Sequence, residues 1–64
     1  MNIKLNGTFK KTNNKTIREL LISVDMLKEG VVVLLNDEVL KEDEYKSKIK
    51  EDDNIELLSF VSGG

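Results

Sequence analysis

The chain opens on an alternation. From Met1 to Leu5, Ile3 and Leu5 fall on one face and Asn2 and Lys4 on the other, the period of a half-buried strand. Asn6-Gly7 follows, the strongest short hairpin signal, and Thr8 to Thr12 reads as the returning strand. A two-residue turn would pair Leu5 with Thr8 and send Phe9 to the solvent face beside Lys4. A three-residue loop or a bulge would pair Leu5 with Phe9 and bury both. An exposed Phe9 wastes apolar area in a small chain, so the expectation here is the longer loop and a buried Phe9.

Thr12 to Lys15 is polar and reads as a connection. Thr16, with Glu19 three residues on, forms a capping box: the Thr hydroxyl accepts from the Glu19 amide, and the Glu carboxylate reaches back. Ile17, Leu20, Leu21 and Val24 then recur at i, i+3, i+4 and i+7, one helical face. This predicts a helix from about Ile17 to between Val24 and Leu27, needing a sheet to pack on. Gly30 closes the connection as a cap or in a turn. Val31 to Leu35 is five apolar residues in succession, the signature of an interior strand covered on both faces. Asn36-Asp37-Glu38 turns the chain, and Val39-Leu40 returns. Lys41 to Lys50 is strongly charged and reads as a solvated face. Asp43 is a candidate cap for one helical turn there, with Tyr45 and Ile49, four apart, pinning it to the core.

After a turn at Glu51 to Asn54, Ile55 to Val61 is the last strand. Ile55, Leu57, Ser59 and Val61 share one face, while Glu56, Leu58 and Phe60 share the other. With Ile55 and Leu57 toward the helix, Leu58 and Phe60 point outward as a candidate docking patch. Beside them the sequence closes on Ser62-Gly63-Gly64. At ordinary glycine usage two terminal glycines are about a one-in-200 accident. Such a thread, ending in a free carboxylate, can enter a narrow channel where any Cβ would clash; the same feature alone also reads as a frayed tail or an expression scar.

The order is hairpin, helix, strand, short strand, charged segment, final strand. One helix then covers one face of a mixed sheet of four to five strands. By analogy with ubiquitin-like folds, the first and last strands lie side by side at its centre. The expected class is α+β, a β-grasp: one domain over 1–61 and a flexible tail over 62–64.

Composition removes whole function classes. The 64 residues contain no cysteine and no histidine. The chain therefore lacks disulfides, a thiolate nucleophile, the usual neutral-pH general base and the commonest metal ligand. No catalytic residues and no metal site are expected, so the chain reads as a non-enzyme. A net charge of −2 with interspersed signs argues against a nucleic-acid face. The longest apolar run, Val31 to Leu35, is far short of a membrane span, and no signal-peptide pattern opens the sequence. No nucleic acid and no membrane partner is expected, and a cytoplasmic location is the default.

Three features together carry a family resemblance: the β-grasp order in this length, the Thr-x-x-Glu-Leu-Leu helix start at Thr16 to Leu21, and the terminal Phe60-Val61-Ser62-Gly63-Gly64. Over essentially its whole length the chain resembles the ThiS family, the sulfur carriers of thiamin biosynthesis. The Asn6-Gly7 hairpin fits, and Asn36-Asp37-Glu38 stands for the family's common Asn-Gly-Glu turn. Asp37 departs from the usual Gly, and Tyr45 stands where an aromatic, often Trp, is common. The resemblance implies that the Gly64 carboxylate is the site of adenylation and thiocarboxylate formation, with Gly63 and Ser62 as the tail. A partner adenylating enzyme, ThiF-like, uses ATP; the carrier itself binds no cofactor. A sulfur donor such as a cysteine desulfurase supplies a persulfide. A ThiG-like thiazole synthase consumes the sulfur, and Leu58 and Phe60 are the nominated docking residues.

Other readings differ in what they need from the tail. The small subunit of molybdopterin synthase uses the same tail chemistry but usually runs longer, and a ubiquitin-like modifier would be found conjugated to lysines. A regulatory β-grasp domain binding RNA or a small ligand would be indifferent to loss of Gly64, and RNA binding would weaken steeply with salt.

Overall fold

A computed structural model describes residues 1–60 of the chain. Its elements in order are β1 (Asn2–Leu5), β2 (Thr8–Lys11), α1 (Ile17–Ser23), β3 (Val31–Leu35), β4 (Glu38–Leu40), a 3₁₀ turn (Glu42–Glu44) and β5 (Asn54–Ser59). The strands form one mixed sheet in the order β2-β1-β5-β3-β4. β1 and β5, the first and last strands, run parallel at its centre, and the other neighbours are antiparallel. Ile17, Leu20 and Leu21 of α1 are fully buried against Ile3, Val33, Ile49, Ile55 and Leu57, a single apolar core on one side of the sheet.

Local signals explain the helix. Thr16 is its N-cap, and the Thr16 hydroxyl accepts the Glu19 amide at 3.2 Å. The Glu19 carboxylate reaches one residue further back than a strict box, accepting the Lys15 amide at 2.7 Å. The next two orphan donors, the Ile17 and Arg18 amides, give their hydrogens to the Ser47 and Tyr45 carbonyls. The charged segment is thus tied to the helix start, with Ile49 buried and Tyr45 half-buried beneath it. Asp43 is not its cap: the Lys41 amide that opens the 3₁₀ turn donates to the Glu44 carboxylate at 2.9 Å. At its other end α1 closes on Asp25 in the left-handed region (φ 58°). The Asp25 amide donates to Ile22 and the Met26 amide to Leu21, a Schellman arrangement that satisfies two terminal carbonyls. Gly30 is therefore a turn residue before β3 and not the helix cap.

Two further expectations from the sequence change. The β1–β2 hairpin has the strict two-residue turn, with Asn6 and Gly7 both at positive φ and Leu5 opposite Thr8. Phe9 consequently pairs with Lys4 on the outer face and is 78% exposed. The primed turn matches the strand twist without a bulge, and that local preference outweighs burial of one ring. The apolar run of β3 is likewise not covered twice. Val33 is fully buried and Val31 and Leu35 pack against the core with it, whereas the half-buried Val32 and Leu34 do not, because the single helix lies on one side.

Candidate functional site

The outer face of the sheet carries the apolar residues that the core leaves over. Along β5, Ile55 and Leu57 point into the core, so Leu58 and then Phe60 point away and are 41% and 65% exposed. Register extends the patch sideways. Val32 stands opposite Leu58, Leu34 opposite Glu56, and Val39 of β4 opposite Leu34. An apolar surface thus spans β4, β3 and β5 toward the end of β5. The other half of the face is of mixed character, with a groove of about 320 Å³ lined by Asn2, Ile3, Lys4, Phe9, Asp52 and Asn54.

Two asparagine turns pin β5 from both sides. Asn6 accepts the Leu57 amide on its side-chain oxygen at 2.7 Å and donates its own amide to the Ile55 carbonyl at 2.9 Å. Asn36, also at positive φ, accepts the Asn54 amide at 2.9 Å and donates its backbone amide to the Asn54 carbonyl at 2.7 Å. The Asn36 side-chain amide donates to the buried carboxylate of Asp53, whose second oxygen takes the Lys50 amide at 2.8 Å. Sequence reasoning read both asparagines as turn formers only. Their second role joins positions 18 and 51 residues apart, and only the left-handed preference of Asn at a turn hinted at it.

At the end of β5 the Phe60 amide donates to the Gly30 carbonyl at 2.7 Å. Ser62, Gly63 and Gly64, the residues nominated for the chemistry, lie outside the described residues, as does Val61. Among the described residues no group of three or more acidic side chains could hold a metal ion, and no helix is long and apolar enough to cross a membrane.

The sheet order, the single helix across one face and a last strand leading toward Gly-Gly define a ubiquitin-like β-grasp protein. The ThiS family model matches residues 3–64, and the chain belongs to that family. Among solved structures, it is similar to the crystal structure of a thiamine biosynthesis protein (ThiS) from Geobacter metallireducens, with 32% identity, a TM-score of 0.83 and full coverage of both chains. The solution structure of a thiamine biosynthesis protein from the same organism aligns at 30% identity and a TM-score of 0.79, covering this chain fully and 88% of the other. No curated protein sequence matches significantly.

Proposed function

We propose that this chain is a sulfur carrier of thiamin biosynthesis, working through the carboxylate of Gly64. The observation that supports it best is continuity: the exposed apolar patch of Leu58 and Phe60 stands immediately before the segment that closes on Gly63-Gly64, and the family match runs through Gly64. The chain offers a surface for an enzyme and a terminus without side chains. A free carboxylate is a poor electrophile, because its charge repels nucleophiles and oxide is a bad leaving group. In an adenylating partner of the ThiF kind, a Gly64 carboxylate oxygen attacks the α-phosphorus of ATP and pyrophosphate leaves. A persulfide sulfur, supplied by a donor such as a cysteine desulfurase, then attacks the acyl carbon and AMP departs. A thiol cleaves the resulting acyl disulfide and releases the thiocarboxylate. A ThiG-like thiazole synthase takes this sulfur, tethered and so presented at high effective concentration.

The carrier's own part is to dock and to present. Leu58 and Phe60, with Val32 beside Leu58, are the surface that the partners cover in turn. The test is the intact mass of the chain after incubation with ATP, an adenylating enzyme and a sulfur source. A gain matching replacement of one oxygen by sulfur is expected, and it should vanish when Gly64 is deleted. No gain, with the enzyme active on another carrier, would refute the proposal.

A further inference from the structure

Gly30 is exposed and contributes nothing to the core, yet its backbone meets the last described residue at two points. Its carbonyl accepts the Phe60 amide at 2.7 Å. A Cβ built on it would stand 2.7 Å from the Phe60 carbonyl oxygen, closer than such atoms come, and its φ of +81° is one that L side chains rarely adopt. The positive φ and the Cβ contact both favour glycine, and the Cβ contact and the hydrogen bond both concern where Phe60 sits. We infer that Gly30 is a positioning residue for the C-terminal tail: it fixes the point from which the four residues Val61 to Gly64 depart. The inference rests on the carrier reading above.

The geometry gives this fixing a consequence. At about 3.3–3.6 Å per residue, four residues reach at most roughly 14 Å from Phe60. A partner docked on Leu58 and Phe60 must hold its reacting atoms within that reach. Where Phe60 sits decides which positions lie within that reach, and a displacement of about 1 Å at a reacting centre can cost on the order of 100-fold in rate. Loss of the Gly30 clamp frees Phe60, itself a docking residue, while Leu58 stays paired with Val32 of β3. It should therefore lower turnover beyond the loss of docking that removal of the Phe60 ring alone produces.

Three full-length variants separate the causes. Gly30→Ala brings both the Cβ and the strained φ. Gly30→Asn tolerates positive φ but keeps the Cβ against the Phe60 carbonyl. A chemically assembled chain with D-alanine at this position favours positive φ and directs its methyl group away from that oxygen. Each is measured for hydrogen exchange at the Phe60 amide, and for kcat and KM in adenylation by a ThiF-like enzyme.

The expected result for Gly30→Ala and Gly30→Asn is at least about tenfold faster exchange at Phe60. Their kcat should fall on the order of 10–100-fold, with KM rising no more than in Phe60→Ala. The D-alanine chain should match the wild type. If Gly30→Ala fails to fold, Gly30→Asn decides. Unchanged kcat with the amide released, or a rise in KM alone, overturns the positioning role while the carrier reading stands. A wild-type chain that no adenylating enzyme accepts sinks both.

Discussion

Lys4 and Phe9 face each other across the hairpin, with the Lys4 ammonium 5.3 Å from the centre of the Phe9 ring. The contact is the visible result of the two-residue turn, which sets Phe9 beside Lys4 on the outer face. The ring is exposed and takes no part in the core. Phe9→Ala should therefore cost about 1 kcal/mol, from lost strand propensity and the cation–π contact. A core phenylalanine would lose about 3–5 kcal/mol. Urea unfolding distinguishes the two, and a loss in the higher range would mean that the hairpin register is wrong.

The helix face predicts an asymmetric pair. Leu20 is fully buried, whereas Ile22, two residues on, is 57% exposed. Truncation of Leu20 to alanine removes a side chain from the centre of the core and should destabilise by about 2–5 kcal/mol. The same change at Ile22 should stay within about 0.5 kcal/mol. Equal effects in thermal or denaturant unfolding would contradict the orientation of α1.

Asn6 supplies a left-handed turn residue and an acceptor for the Leu57 amide. Asn6→Gly removes the acceptor and relaxes the backbone, while Asn6→Ala removes the acceptor and keeps a Cβ at positive φ without the tolerance asparagine has for that region. Alanine should therefore be worse than glycine by about 1–2 kcal/mol. In both variants the Leu57 amide should exchange faster with solvent. Unaltered protection at Leu57 would show that the side-chain bond does not hold in solution.

Phe60→Ala and Leu58→Ala test the patch by separating stability from binding. Both residues are exposed, so each change should alter unfolding by no more than about 0.5–1 kcal/mol. If they anchor the adenylating partner, each should weaken its binding by about 1–2 kcal/mol or more, roughly tenfold. Calorimetric titration with the partner measures this. A lowered melting temperature with unchanged affinity would return both residues to a structural role.

Much of the fold was legible because its signals are local. The Thr16–Glu19 cap, the α1 stripe and the Asn6-Gly7 turn each depend on residues within one or two turns of chain. Strand parity told equally well which side of β5 Leu58 and Phe60 would take, since alternation is a property of the strand itself. Phe9 was misplaced because two local rules conflicted there, and turn geometry outweighed the burial of one ring. The β3 run was read rightly as an interior strand but wrongly as covered twice: continuous hydrophobicity does not say whether a second layer exists to cover it, and here one face stays open as part of the patch.

The sequence by itself determined the elements, the buried stripe, the outward set on β5 and the Gly-Gly close, because propensity, capping and periodicity act over a few residues. Only the tertiary structure decided which backbone groups meet. Asn6 with Leu57, Asn36 with Asp53, and Gly30 with Phe60 are brought together by sheet assembly, across separations that no local preference spans. Gly30 makes the difference plain. In the sequence it is a turn residue like many others. Only when β3 and β5 pair does its missing Cβ become the space that the Phe60 carbonyl occupies.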